Sequence, residues 1–73
     1  MVKPTKVTNN IRAFRKAEGL TQAELARRIG VMRQTLVAIE QGEYSPTLEL
    51  AFQISRHFGT SLDDVFHYPE EAE

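Results

Sequence analysis

The chain has 73 residues, no cysteine, 26% charged and 41% hydrophobic residues, and a formal net charge of −1. A chain this short is one domain that buries only about 60% of its unfolded surface, so a binding module is favoured over an enzyme with a walled cleft. The lack of cysteine excludes a disulfide framework, a thiolate nucleophile and a cysteine zinc site. No apolar run nears the roughly 20 residues of a membrane span, and Met1-Val2-Lys3-Pro4-Thr5-Lys6 lacks the apolar stretch of a signal peptide, so a reduced, cytoplasmic location is expected.

Residues 1–8 show no periodic pattern and read as a loose basic arm with Lys3 and Lys6. Asn9-Asn10 can cap a first helix, in which Ile11, Phe14 and Glu18 fall at helical spacing with Arg15 beside them. Gly19 stops it. Thr21-Gln-Ala-Glu24 is a capping box, so a second helix starts at Gln22 and turns Leu25, Ala26 and Ile29 inward until Gly30. Leu36, Ile39 and Glu40 share one face of a third helix, which Gly42 terminates. Ser45 or Thr47 caps a fourth helix with the stripe Leu48, Ala51, Ile54 and Phe58, closed by Gly59. Ser61-Leu-Asp-Asp64 starts a short last helix carrying Leu62, Val65 and Phe66. No stretch alternates as a strand does. The expectation is an all-α, compact five-helix domain over residues 9–68, followed by an acidic tail at 69–73.

Leu25, Ile29, Leu36, Ile39, Ile54 and Phe58 are read as core. His57 and His67 have no partner at metal-ligand spacing and are read as surface residues, so no metal is expected. Ser45, Ser55, Ser61, His57 and Asp63 lack the strand-turn-helix context of a nucleophile, so neither catalysis nor a cofactor is expected.

Charge is divided along the chain. Residues 1–33 sum to +6 and residues 34–73 to −7. Such a split suggests one positive and one negative face, and a positive face attracts polyanions. Two helices joined through Gly30 by a short turn form a helix-turn-helix candidate. Ala26 is small where the two helices should cross, and Gly30 suits a left-handed turn. The spacing leaves Met32, Arg33, Gln34, Val37 and Ala38 outward.

The phrases Gly19-Leu-Thr-Gln-Ala-Glu-Leu-Ala26, Ile29-Gly-Val31, Arg33-Gln-Thr35, Ile39-Glu-Gln-Gly42, Ser45-Pro46 and Phe58-Gly59 run in register along most of the chain. In them the sequence resembles the phage-repressor and Cro-like helix-turn-helix family, also called XRE. The resemblance implies five helices with helix-turn-helix at the second and third, and the third placed in the DNA major groove. It implies base contacts from Met32, Arg33, Gln34, Val37 and Ala38, and backbone contacts from Thr21, Gln22, Thr35 and Tyr44. It implies a structural salt bridge between Arg15 and Glu40. The chain departs from the pattern at Met32, where a small polar cap is usual, and at Glu43, where a basic residue is usual. Val37 and Ala38 make the reading face less polar than in many members.

The expected function is thus a sequence-specific, double-stranded DNA-binding transcriptional regulator, a repressor, without a cofactor or a membrane role. Family members usually pair, and Phe52, Val65, Phe66 and Tyr68 are the candidate homodimer surface. The alternative is a protein-binding adaptor, of antitoxin kind, suggested by the acidic half and by Val37 and Ala38.

Overall fold

Most helix starts in the chain carry a side-chain cap. The structure, a computed structural model, describes residues 5–70. Expectations for Lys3 in the arm and for Glu71 to Glu73 in the tail lie outside the described residues.

Helix α1 spans Ile11–Ala17. Asn10 holds the cap position without a side-chain bond; Asn9 Oδ1 instead accepts from Ile11 N at 3.2 Å. Helix α2, Gln22–Ile29, opens on a complete capping box. Thr21 Oγ1 accepts from Glu24 N at 3.1 Å and Glu24 Oε1 accepts from Thr21 N at 2.8 Å, which satisfies two amides that a helix start leaves without partners. Gly30 closes α2 at φ +79°, a conformation side chains with a Cβ resist. Val31 N then donates to Ala26 O at 3.0 Å and the chain turns into α3, Arg33–Glu40, whose cap residue Met32 makes no side-chain bond. Helix α4, Leu48–His57, starts at Thr47, whose side chain accepts from Leu50 N. Ser61 and Asp64 form a second capping box for α5, Leu62–Val65.

The helices enclose Ile11, Leu20, Leu25, Ala26, Ile29, Leu36, Ile39, Ile54 and Val65, with Phe14, Val31, Leu50, Phe58 and Phe66 packed around them. Burying a side chain such as Leu25 or Ile54 contributes about 1.5–3 kcal/mol. Phe58 is half-buried rather than central, its ring 5.2 Å from that of Phe14.

Five expectations are corrected. The last helix stops at Val65, and Phe66 is extended at φ −116° and ψ 141°. A two-residue ladder forms, with β1 at Thr8–Asn9 antiparallel to β2 at Phe66–His67. Strands this short carry no alternation that a sequence could display. Val65 belongs to no surface: it is fully buried, because three residues from Leu62 place it on the inner side of α5, and its carbonyl accepts from Asn10 N at 2.8 Å. Leu48 is 68% exposed and Leu50 packs on the core instead. At about 100° per residue, steps of three carry Leu48 about 120° from Ile54, whereas a step of four keeps Leu50 within about 40° of it. His57 is largely covered, its ring against Phe58 at 4.9 Å and Nε2 3.3 Å from Glu18 Oε1, within ion-pair reach but without hydrogen-bond geometry.

Candidate nucleic-acid interface

A chain of polar contacts runs from α1 through α3 to the start of α2. Arg15 is buried on α1, one helical turn from Ile11. Its Nε donates to Glu40 Oε2 at 2.9 Å and its Nη2 to Glu40 Oε1 at 3.1 Å. Nη1 donates to the Leu20 carbonyl at 3.0 Å, so the guanidinium is satisfied on three sides. Glu40 Oε1 also accepts from Gln22 Nε2 at 3.2 Å. The other end of that amide, Gln22 Oε1, lies 3.5 Å from Arg33 Nη2, the outer limit of a hydrogen bond.

These residues sit along an open groove of about 770 Å³ with Arg12, Lys16, Thr21, Gln22 and Arg33 on its walls. Glu40 also lines it, but its charge is matched by Arg15 at bonding distance. The unmatched side chains are cationic. The N–H groups of Gln22 and Ala23 stand in the first turn of α2, where a helix has no internal acceptor for them. Cationic side chains and a helix start therefore face the same space, and both favour an anion. Glu24 sits on the capping box rather than in the groove. Its carboxyl is held below the ordinary value of 4.5, first by the Thr21 amide and then by the Thr21 hydroxyl, with smaller help from Arg27 and Arg28.

Of the residues expected to face bases, Met32, Arg33 and Gln34 are exposed, while Val37 and Ala38 are half-buried. The latter two lie past the first turn of α3. Thr21 is exposed, Gln22 and Thr35 are half-buried, and Tyr44 is 44% exposed in the loop after α3. The structure brings Gln22 and Arg33 together and adds two cations that the sequence reading did not single out, Arg12 and Lys16. The signal for them was available: each follows one member of the buried pair Ile11 and Arg15, so the two share an adjacent face of α1. Among the described residues, no group of His, Asp and Glu could hold a metal ion, and no helix is long and apolar enough to cross a membrane.

Comparison with known proteins identifies the family and the fold. A family model described as helix-turn-helix matches residues 11–65. An uncharacterised helix-turn-helix-type transcriptional regulator of Methanothermobacter thermautotrophicus is 52% identical over 63 residues, spanning 85% of this chain and 91% of that protein. One of Methanocaldococcus jannaschii is 44% identical over 63 residues, covering 86% and 96% of the two chains. The crystal structure of a putative DNA-binding protein from Bacteroides fragilis superposes with a TM-score of 0.74 at 15% identity, over 84% of this chain and 98% of that one; at that identity it speaks for the fold. The matched region takes in the capping box, the Gly30 turn and the Arg15–Glu40 pair, and the chain belongs to the helix-turn-helix family, of the phage-repressor and Cro-like type.

Proposed function

We propose that this DNA-binding transcriptional regulator is a repressor that reads a specific duplex sequence with the start of α3 in the major groove. The observation that carries the reading is the exposure of Arg33 and Gln34 at the first turn of α3, beside a cation-lined groove. Arg suits the O6 and N7 atoms of guanine, and Gln suits the N6 and N7 atoms of adenine, each bidentate pair being worth about 1–3 kcal/mol of discrimination. Met32 and Ala38, with Val37, offer apolar contact to a thymine methyl. Thr21, Gln22, Thr35 and Tyr44, together with Arg12 and Lys16, hold phosphates and set the register. The domain over residues 9–68, a cytoplasmic location and the absence of a catalytic role belong to the same reading.

Selection of preferred sites from random duplexes tests it. Wild type is expected to enrich one site, and Arg33→Ala with Gln34→Ala to lose discrimination while staying folded. Equal enrichment by wild type and the double variant would sink the assignment of the reading residues.

The homodimer belongs to this proposal too. A hollow of about 260 Å³ is lined by Val7, Pro46, Leu48, Leu62 and Phe66, with Leu48 and Tyr68 each about two-thirds exposed and Phe52 half exposed. Val65 leaves that set because it is core. An apolar hollow with large exposed apolar side chains elsewhere on the surface suits a contact site, and a second copy would give a two-fold pair for two half-sites about 34 Å apart. Sedimentation is expected to show concentration-dependent pairing that Leu48→Glu abolishes. A monomer mass at every concentration, on and off DNA, would contradict it and turn attention to a different protein as occupant of the hollow.

A further inference from the structure

One carboxylate oxygen serves two donors in this domain. Glu40 Oε1 accepts from Arg15 Nη2 at 3.1 Å and from Gln22 Nε2 at 3.2 Å. We propose that Glu40, neutralised by Arg15, is a positioning residue that aims the Gln22 side-chain amide at a DNA phosphate; the proposal rests on the DNA-binding reading above.

The chemistry sets the direction of that amide. A carboxylate only accepts hydrogen bonds, so Gln22 must turn its NH2 end toward Glu40. One of the two Nε2 protons is then engaged and the other remains for an anion at the mouth of the groove. The same bond sends Gln22 Oε1 the opposite way, where Arg33 Nη2 lies 3.5 Å off. The side chain of Glu40 is 5% exposed and that of Arg15 is 10% exposed, so the acceptor is held on a buried base and does not wander. A glutamine fixed before DNA arrives has less freedom left to lose on binding.

Arg15 makes this arrangement tolerable next to a polyanion. A lone carboxylate beside phosphates would repel them. Two-point pairing with the guanidinium leaves a neutral unit whose oxygen still accepts. The pair therefore has a use in recognition that a purely structural staple between α1 and α3 would not have.

The test is a double-mutant cycle on the duplex that wild type itself enriches, at fixed salt. One arm replaces the pair as a unit, Arg15→Met with Glu40→Met. Swapping both partners for apolar residues of similar volume commonly keeps a fold intact and leaves net charge unchanged. The other arm is Gln22→Ala. Each arm alone is expected to weaken binding about three- to tenfold, and the combined variant to be no weaker than either arm. Independent losses that multiply, or a folded pair variant that binds like wild type, would overturn the proposal while Gln22 kept its phosphate role. If Gln22→Ala and Arg33→Ala both bind like wild type, the reading of this groove as the DNA site fails, and the proposal with it. A measurement without DNA keeps the idea testable should the pair variant unfold. In the free wild-type protein, one side-chain amide proton of Gln22 is expected to be shifted and slowly exchanging relative to Gln34, Gln41 and Gln53. Amide signals like those of the other three glutamines would overturn it.

Discussion

Arg15 of α1 and Glu40 of α3 close a two-point ion pair across 25 residues of sequence, at 2.9 and 3.1 Å. It is nearly sealed from water, and the remaining Arg15 nitrogen is spent on the Leu20 carbonyl at 3.0 Å. Removing one partner strands a buried charge. Glu40→Ala is therefore expected to destabilise the domain by about 3–5 kcal/mol, a large share of what a chain this small can have. Urea or thermal unfolding followed by circular dichroism checks it; a loss below about 1 kcal/mol would place the pair with surface bridges.

Gly30 makes a sharper case because its surroundings are empty. A Cβ built there meets nothing within 4 Å, while φ is +79°. Gly30→Ala should cost only the left-handed backbone, about 1–2 kcal/mol, with no packing loss. Unfolding midpoints of Gly30→Ala and Gly30→Asn measure it, and the asparagine variant is expected to lose less, since Asn visits this region more readily.

Met32 leaves a gain available. Its backbone already has cap geometry, φ −76° and ψ 152°, but its side chain bonds nothing. Met32→Ser is expected to stabilise the domain by about 1 kcal/mol by supplying the missing acceptor for the first turn of α3. A melting temperature unchanged or lowered in Met32→Ser would show that the thioether contributes something the cap does not replace.

The α2 capping box predicts an acid response. The Glu24 carboxyl is held below its ordinary 4.5 by the Thr21 amide and hydroxyl. A lowered value in the folded state means the folded protein favours the ionised form. The contribution is full above about pH 4.5 and is lost as pH falls through the lower, folded value. Stability profiles of wild type and Glu24→Gln are expected to differ at neutral pH and converge in acid. Parallel profiles down to the acid limit would contradict it.

Much of this fold was legible because it was written locally. The boxes at Thr21 and Ser61 and the Gly30 turn each act within a few residues, where sequence spacing is geometry. What was hidden depended on contacts across the chain. The Thr8–Asn9 ladder with Phe66–His67 is too short to leave a period, and it takes Phe66 out of the last helix. The stripe through Leu48 failed because steps of three drift round a helix, so an apolar residue that looked internal stands at the rim of a surface hollow. His57 looked like a surface residue because one of its partners, Glu18, stands at the end of α1, far from it in sequence. In the candidate site, Arg33, Gln34 and Gln22 were expected from the motif. The spacing of Arg12 and Lys16 puts them on one face of α1, but that this face lines the groove at the start of α2 depends on contacts across the chain.

The central claim is that Arg12, Lys16 and Gln22 in the groove hold a DNA backbone while Arg33 and Gln34 at the start of α3 read bases. Its most direct test is the affinity for an enriched and a random duplex over a range of salt concentrations, for wild type and Lys16→Ala. The account predicts log affinity falling steeply with log salt, by about 0.9 per phosphate held, and a slope shallower by about one in Lys16→Ala. It also predicts tighter binding to the enriched duplex at every salt. A flat salt dependence, or binding that Lys16→Ala leaves untouched, would contradict it.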